Sequence, residues 1–286
     1  MQEITILSGK GGTGKTTITA ALASLAPNAV FCDNDVDAAD LFLILQPQTK
    51  ESHAFESGWV AHINPDTCTQ CGLCQEQCRY DAISNDSGKY EINPFLCEGC
   101  RLCERLCPSE AIHSVRNQNN TWYVSDSRFG PFVHAKMGAG EENSGKLVTR
   151  IRRKAKEIAR EINADFIVSD GPPGIGCPVI ASLTGTNKVL IVIEPSQSGL
   201  HDAQRLITLI ESFNIPTYAI INKYDINKRI AQTTESYLQD KGIPLIGKIP
   251  FDPVMTKSMM AEKTIVEYQP DSSISEIIQN IWKQLN

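Results

Sequence analysis

The sequence carries Gly9-Lys-Gly-Gly-Thr-Gly-Lys-Thr-Thr17 between an apolar run, residues 3–8, and an alanine-rich segment, residues 16–25. The apolar run is typical of a buried strand and the alanine-rich segment of a helix. In this setting the pattern GxxxxGK[ST] is a phosphate-binding loop, whose glycines let backbone N–H groups converge on phosphates. The stretch therefore predicts a nucleotide-binding α/β domain in preference to a plain glycine-rich turn.

The side chains of this loop have separate predicted roles. Lys15 is expected to reach the terminal phosphates and Thr16 to bind Mg²⁺, while the helix N-terminus adds positive potential. The other predicted nucleotide contacts are Gly9, Gly11, Gly12, Thr13, Gly14 and Thr17. Together these residues predict binding of a nucleotide with its magnesium ion.

Strands and helices alternate along most of the remaining chain. The predicted strands are 29–32, 166–169, 188–193, 218–221 and one that ends near 249–250, and the predicted helices are 146–162 and 200–213. Such alternation implies a mostly parallel sheet covered by helices on both faces. The expected fold class is an α/β P-loop NTPase.

Cysteines interrupt this pattern. Eight of the ten lie between Cys68 and Cys107, in two runs of the form C-x2-C-x2-C-x3-C, the second 29 residues after the first. Structural zinc sites normally pair two Cys-x2-Cys knuckles over a longer gap, so the triplets favour iron-sulfur clusters. We expect two [4Fe-4S] clusters in a small α+β domain, residues 61–115, inserted into a P-loop domain formed by 1–60 and 116–286.

The two runs resemble those of bacterial ferredoxins with two clusters, in which the fourth cysteine of each run binds the cluster of the other run. The resemblance implies one cluster on Cys68, Cys71, Cys74 and Cys107 and the other on Cys97, Cys100, Cys103 and Cys78. The second run ends in Cys107-Pro108, as in ferredoxins, whereas the first ends in Cys78-Arg79. No ligand is missing, so the expected cluster count is unchanged.

Bulk properties exclude some classes of function. A net charge of −6 and a pI of about 5.5 argue against a nucleic-acid partner. Because no apolar run approaches the length of a membrane span and the first residues leave no room for a secretory signal, we expect a cytoplasmic protein. The apolar face of residues 273–286 carries little basic charge, which favours packing on the core over membrane binding.

The loop with its extra Lys10 resembles the deviant Walker A motif of the MinD, ParA and nitrogenase iron-protein ATPases. The resemblance implies that ATP is the nucleotide and that Lys10 reaches it across an ATP-dependent dimer interface. Asp33 and Asp35, at a strand end, are candidates to hold Mg²⁺ through water or to orient the attacking water, and the resemblance selects Asp35 for the water. Asp37 and Asp40 follow closely, so a shifted assignment or a helix-capping role is the alternative.

The same resemblance covers later segments of the chain. Asp170-Gly-Pro-Pro-Gly174 is similar to the family's second switch, with Asp170 near Mg²⁺ and Gly174 near the γ-phosphate. Asn222 stands where the family binds adenine, although a turn-forming Asn is the alternative, and Pro250 and Asp252 are weaker candidates for the base pocket. The stretches 140–146 and 194–199 also carry the resemblance, without a mechanism that the spacing reveals.

From residue 3 to about 270 the chain is similar to MinD-superfamily ATPases with an inserted ferredoxin domain. This implies a slow Mg²⁺-dependent ATPase, dimeric with itself or with a related ATPase, that couples nucleotide state to electron transfer to a redox or metalloenzyme partner. The alternatives are an assembly ATPase for iron-sulfur or metal centres, of the Mrp and CooC kind, and a redox-sensing positioning ATPase like MinD. Of the two remaining cysteines, we expect Cys32 to be a buried apolar residue and Cys177 to be structural in preference to a ligand of a dimer-bridging cluster.

Overall fold

A computed structural model describes residues 1–56, 58–117, 120–138 and 144–286 of the chain. These residues form two units. The large unit consists of Met1–Ser52, Trp122–Lys136 and Ser144–Asn286, and the cysteine unit consists of His53–Thr121 with a short segment that starts at Met137. Of the stretch 140–146, residues 140–143 lie outside the described residues.

The secondary structure alternates as expected through much of the large unit. In chain order the strands are β1 (Gln2–Ser8), β2 (Ala29–Asp33), β3 (Gln48–Phe55), β4 (Trp59–Ile63), β5 (Ile83–Asp86), β6 (Lys89–Ile92), β7 (Ile112–Arg116), β8 (Asn120–Ser127), β9 (Gly130–Lys136), β10 (Phe166–Pro173), β11 (Lys188–Ile193), β12 (Thr217–Asn222) and β13 (Leu245–Ile249). The helices are α1 (Lys15–Ala23), α2 (Leu41–Leu45), α3 (Leu73–Glu76), α4 (Leu102–Leu106), α5 (Ser144–Glu161), α6 (Cys177–Leu183), α7 (Gln197–Glu211), α8 (Lys228–Asp240), α9 (Val254–Met260), α10 (Ile265–Tyr268) and α11 (Ser273–Leu285).

The main sheet is built around β1. Among the described residues its strand order is β13-β12-β11-β1-β10-β2-β9-β8-β3, and the pairs from β13 to β9 are parallel. Ile4, Ile6 and Leu7 of β1 are fully buried, as a strand covered on both faces requires. The prediction of an α/β fold with a mostly parallel sheet is confirmed.

Parallel pairing brings the carboxyl ends of the central strands to one edge of the sheet. In the register of β10, Asp170 lies beside Ile6 of β1 on one side and Asp33 of β2 on the other. Ligands of open α/β sheets bind outside this edge. The predicted loop after β1 and the predicted acidic residues therefore lie next to one another.

The far edge of the sheet was not predicted from the sequence. The strands β3, β8 and β9 follow no simple alternation of apolar and polar residues, and β3 (QTKESHAF) is largely exposed. An exposed edge strand lacks the apolar pattern by which buried strands are recognised. In contrast to β3, the strands β8 and β9 carry buried residues such as Val124 and Phe132.

The last helix, α11, packs on the core as the sequence predicts. Ile274, Ile278, Ile281 and Leu285 are buried in the same apolar cluster as β1 and β13 residues. A Cβ atom at Gly247 of β13 would lie 2.6 Å from Ile281 Cδ1, so the close approach of helix and strand requires glycine. In the described parts of the chain, no helix combines the length and the apolar content needed to cross a membrane.

The cysteine unit repeats one small motif. The half β4-α3-β5 is followed by β6-α4-β7, and equivalent residues such as Ile63 and Ile92 are 29 positions apart. Among the described residues, the antiparallel pairs are β4 with β7 and β5 with β6, so each half pairs with the other. The sequence repeat is therefore also a repeat of the backbone.

A buried ion pair joins α5 to the start of β1 in the large unit. The Arg152 guanidinium contacts Glu3 Oε1 at 2.6 Å and donates a hydrogen bond to the carbonyl of Thr184 at 2.9 Å. Without Arg152, the buried Glu3 carboxylate keeps only Lys156 among the described residues, 2.8 Å from its Oε2, and the Thr184 carbonyl loses a hydrogen bond, which together cost about 2 kcal/mol. We expect Arg152→Leu to lower the free energy of unfolding by about this amount in urea titrations.

The adjacent residue supplies the control. Arg153 is 73% exposed and pairs with Glu157 on the helix surface, so Arg153→Leu should change the free energy of unfolding by less than about 0.5 kcal/mol. Equal effects of the two substitutions would contradict a special role for the buried pair.

Candidate functional site

The predicted phosphate-binding loop joins β1 to α1 with a backbone that requires glycine. Gly12 and Gly14 have φ angles of 79° and 90°, in the left-handed region. A Cβ atom at Gly9 would lie 2.4 Å from the Asp202 carbonyl carbon of α7. The Thr13 side-chain oxygen is buried and has no hydrogen-bond partner among the described residues, as a phosphate-facing hydroxyl would before its ligand binds.

Lys15 lies at the first position of α1 among acidic side chains. Its amine is 3.0 Å from Asp170 Oδ1 and 3.3 Å from Asp35 Oδ2, and only 6% of its side chain is exposed. Burial alone would lower the pKa of Lys15, but the charges of Asp170, Asp35 and Asp33 outweigh burial and raise it. The ammonium charge is therefore held at the position where the motif predicts phosphate binding.

Asp170, at the carboxyl end of β10, organises the hydroxyl groups of α1. Thr16 donates a hydrogen bond to Asp170 Oδ2 at 2.6 Å, and Thr19 donates one to Oδ1 at 2.8 Å. The Thr16 hydroxyl and the Asp170 carboxylate are thus adjacent, as an inner and an outer ligand of one Mg²⁺ ion would be. Thr17 points elsewhere, with its hydroxyl 3.2 Å from Met259 Sδ.

The acidic residues after β2 differ in their surroundings. Asp33 accepts hydrogen bonds from the backbone N–H groups of Asp35 and Leu41, at 3.1 and 3.2 Å, which tie the following loop down. Burial, together with the Asp170 charge, raises the pKa of Asp33 well above its ordinary value. Burial also raises the pKa of Asp35 to about 6, against the opposing effect of Lys15.

Asn222, at the end of β12, contacts the loop directly. Its Nδ2 donates a hydrogen bond to the Thr13 carbonyl at 2.7 Å, and its Oδ1 accepts one from Lys223 N at 3.1 Å. An Asn side chain has two donors and two acceptor lone pairs, so one of each is left for a ligand. The adenine-binding role of Asn222 stays a prediction.

The stretch 194–199 has a structural partner that the sequence did not reveal. The Lys10 amine donates hydrogen bonds to the hydroxyls of Ser196, at 3.0 Å, and Ser198, at 3.3 Å, and lies 4.0 Å from Glu194. Glu194 also lies 3.5 Å from the Lys223 amine. In this structure Lys10 is therefore held by its own subunit.

The remaining predicted residues lie around the same edge of the sheet. Gly174 has a φ angle of 86° and donates its N–H to the Ser8 carbonyl at 2.9 Å, beside the loop. Pro250 follows β13, and Asp252 is exposed and accepts a hydrogen bond from Val254 N at the start of α9. Cys177 is exposed at the first residue of α6.

The cysteines of the cysteine unit line two cavities. The first cysteine cavity is lined by Cys68, Cys71, Cys74 and Cys107, and the second cysteine cavity is lined by Cys78, Cys97, Cys100 and Cys103; Cys74 lines both. The first cavity thus combines three cysteines of the first run with Cys107 of the second, and the second cavity combines three cysteines of the second run with Cys78 and the shared Cys74 of the first.

The donor set of each cavity suits a cluster better than a single ion. In the described residues, no three His, Cys, Asp or Glu side chains converge closely enough for one metal ion. In a [4Fe-4S] cluster each of four thiolates binds a different iron, so the sulfurs surround the group instead of converging on a point. The cysteines around each cavity suit such an arrangement. Cluster binding stays a prediction.

Cys32, one of the two cysteines outside the runs, is a buried residue of β2. Its thiol is fully buried and lies 3.1 Å from Asn34 Oδ1. Burial raises the pKa of the Cys32 thiol well above its ordinary value, so it stays protonated. This residue contributes to packing, as the sequence indicates.

A parallel sheet with a phosphate-binding loop and an acidic cluster at its carboxyl edge defines a P-loop nucleotide-binding protein. Residues 4–265 match the sequence model of the CobQ/CobB/MinD/ParA nucleotide binding domain. The chain belongs to this family.

Individual relatives agree with this assignment. An uncharacterized protein of Methanocaldococcus jannaschii is 32% identical over 288 residues, which cover 100% of this chain and 96% of the relative. The iron-sulfur cluster carrier protein of Aquifex aeolicus is 28% identical over 143 residues, 43% of this chain and 37% of that protein. The structure of the septum site-determining protein MinD with Mg-ADP, from Pyrococcus horikoshii, has a TM-score of 0.60 at 19% identity, covers 100% of this chain and 96% of that one, and shares the fold.

The pKa of Asp35 generates a prediction about stability in the nucleotide-free protein. Its folded-state pKa of about 6 lies above the value near 4 of an unfolded chain. Between these two values the folded protein binds more protons than the unfolded one, so the wild type loses stability as the pH rises through this window. Asp35→Asn removes this proton equilibrium.

The measured quantity is the difference in free energy of unfolding between Asp35→Asn and the wild type from pH 4 to pH 7. We expect the variant's advantage to grow between about pH 4 and 6 and then to level off. A difference that stays constant, or that shrinks over this range, would contradict a raised pKa at Asp35.

Proposed function

We propose that the chain is a Mg²⁺-dependent ATPase that carries two [4Fe-4S] clusters and couples its nucleotide state to electron transfer with a partner protein. The observation that carries this proposal is that eight cysteines line two cavities and that each cavity includes a fourth cysteine from the other run, Cys107 in the first and Cys78 in the second, as in a two-cluster ferredoxin. Family membership supports the nucleotide half.

In the nucleotide half, residues of the large unit bind and orient ATP. Backbone N–H groups of the loop and the Lys15 ammonium neutralise phosphate charge, and Thr16 with Asp170 holds Mg²⁺. Asp35, 3.3 Å from the Lys15 amine, orients the attacking water. Lys15 would leave Asp170 and Asp35 for the phosphates, and a bound Mg²⁺ would supply positive charge next to these carboxylates.

In the cysteine half, the chain supplies four thiolates to each cluster and excludes bulk water from their inner faces. Ala82 and Ala111, equivalent residues of the two halves, line the second and the first cysteine cavity, and both are buried. Bound [4Fe-4S] clusters supply one-electron redox chemistry. Because alanine is small, these two equivalent positions leave space for a cluster beside the cysteines.

The coupling between the halves has a route along the chain. Asp33 anchors the loop that contains Asp35, and the next elements are α2 and β3, which lead to the start of the cysteine unit at His53. A change in the hydrogen bonds of Asp33 or Asp35 when ATP binds acts directly on this connection. Lys10 would leave Ser196 and Ser198 and contact the nucleotide of a second subunit, as the family resemblance implies.

A cysteine experiment tests the cluster half. Protein reconstituted without oxygen should contain about eight irons and eight sulfides per chain, the content of two such clusters. Because Cys107 is assigned to the first cluster although it belongs to the second run, Cys107→Ser should destabilise the cluster of Cys68, Cys71 and Cys74 and leave the other. Electron paramagnetic resonance of the reduced protein reports which cluster changes.

The control is Cys177→Ser, which replaces an exposed cysteine outside both cavities and should leave the iron content unchanged. Wild-type protein that holds zinc, or fewer than four irons, would contradict the cluster assignment. If Cys107→Ser instead destabilised the cluster of Cys97, Cys100 and Cys103 and left the other intact, the crossed grouping would be wrong.

A kinetic experiment tests the coupling. Oxidation of the reduced protein by an electron acceptor is followed with and without Mg-ATP, and we expect ATP to change the rate at least fivefold. Lys10→Ala should still bind ATP through Lys15 and lose this effect, because its closed dimer lacks the crossing lysine. Identical rates with and without ATP in the wild type would exclude ATP gating.

Cluster delivery is the second candidate, favoured by the relative named as an iron-sulfur cluster carrier protein. Each cavity, however, has four cysteines from this chain, a complete ligand set that favours retention over release. The same reconstituted protein is mixed with an apo-ferredoxin and Mg-ATP. Transfer of iron to the apo-protein would support delivery, and retention of about eight irons per chain would support electron transfer.

A further inference from the structure

The two halves of the cysteine unit share a backbone but differ in the residues that face solvent. Asn64 Oδ1 accepts a hydrogen bond from Asp66 N at 3.0 Å, and 29 residues later Asn93 Oδ1 accepts one from Phe95 N at 2.9 Å. The same turn thus precedes the first cysteine of each run. It presents Asp66-Thr67 in the first half and Phe95-Leu96 in the second.

The apolar residues of the second half are exposed. We define the apolar rim as Tyr80, Phe95, Leu96, Leu102 and Leu106, which are 46%, 73%, 48%, 38% and 36% exposed. Tyr80 and Leu102 line the second cysteine cavity, and Phe95-Leu96 directly precedes its ligand Cys97. Four of the five residues of the apolar rim are therefore beside the second cysteine cavity, and Leu106 directly precedes Cys107 of the first.

The corresponding positions around the first cysteine cavity are mostly polar. In the 29-residue repeat, Tyr80, Phe95, Leu96 and Leu106 correspond to Ser109, Asp66, Thr67 and Gln77, and Leu102 corresponds to the less exposed Leu73. The first half forms the same turn with polar residues at these positions. Folding of the motif therefore does not require the apolar residues of the second half. Exposed aromatic and leucine side chains grouped in this way mark a surface for a protein partner.

The charge of the unit identifies the kind of partner. Residues 53–117 contain nine acidic and five basic residues, a net charge of −4, to which thiolate-bound clusters add negative charge. Such a surface attracts a basic protein and accelerates its association. A partner seated on the apolar rim would lie against the cluster of the second cysteine cavity.

We propose that the apolar rim is the docking surface of a basic one-electron redox protein, and that electrons enter or leave the chain through the cluster of the second cysteine cavity. This inference rests on the proposed function, because it requires bound clusters. One electron passes from the reduced cluster to the partner's oxidised centre; no bond forms or breaks and no proton moves. The small area and apolar centre suit a transient redox complex.

The test uses cytochrome c, a small basic haem protein, as the probe. The full chain with two clusters is reduced, and the appearance of ferrous haem is followed by stopped flow at several salt concentrations. In the variant Phe95→Asp, Leu96→Thr the second half copies the first, and we expect its second-order rate constant to be at least tenfold lower. The added negative charge by itself favours a basic partner, so a slower reaction reports the lost apolar contact.

Two controls keep the result specific. Val115 is 45% exposed in β7 and lies outside the apolar rim and both cavities, so Val115→Ser should keep the wild-type rate within about twofold. Oxidation by benzyl viologen, a small dye that needs no docking surface, should be equal in all three proteins. Rising salt should slow the wild-type reaction with cytochrome c.

A wild-type rate in the double variant would overturn the proposal, and so would an equal loss in Val115→Ser. If the wild type self-associates without ATP and the double variant does not, the apolar rim is a contact between copies of this chain, which also overturns it. Failure of the proposed function can be told apart from failure of this proposal. It would be seen before the kinetic experiment, as an iron content of the reconstituted protein well below eight per chain.

Discussion

Lys15 and Asp170 form a buried ion pair, 3.0 Å apart, at the carboxyl edge of the central strands, and the site is arranged around it. Asp170 also accepts hydrogen bonds from Thr16 and Thr19, so the pair fixes the start of α1 against β10. Asp33 and Asp35 add further negative charge to the site, and burial, together with the charge of Asp170, raises the pKa of both carboxyl groups against the opposing effect of Lys15. A site with surplus carboxylate and a buried lysine is suited to a ligand that brings phosphate and Mg²⁺ together.

Much of this arrangement could be predicted from the sequence, because its signals are local. The loop of residues 9–17 has a fixed spacing, and apolar runs reveal the buried strands β1, β10 and β11. The resemblance to ferredoxins, which includes the crossed ligand, likewise predicts cysteines that line the same cavity, although Cys74 lines both. Motifs with short, regular spacing can be recognised in the sequence without knowledge of the tertiary structure.

The features that the sequence did not reveal depend on distant partners or on exposed strands. Lys10 and Ser196 are 186 residues apart, so neither position predicts their hydrogen bond. Asn222 likewise contacts Thr13 from a distance of 209 residues, and only the parallel order of β12, β11 and β1 brings them together. The exposed strand β3 lacks an apolar period because solvent, not a core, covers much of it.

The contact of Lys10 with its own subunit bears on how a dimer would form. The Lys10 and Glu194 side chains are 27% and 24% exposed and 4.0 Å apart, and an ion pair so open to solvent is worth about 1 kcal/mol or less. Two hydroxyl groups, of Ser196 and Ser198, complete the contact through ordinary hydrogen bonds. A phosphate group that accepts charge-assisted hydrogen bonds from the same amine is a stronger partner. The contact in this structure therefore holds the lysine in position without preventing its transfer to a nucleotide.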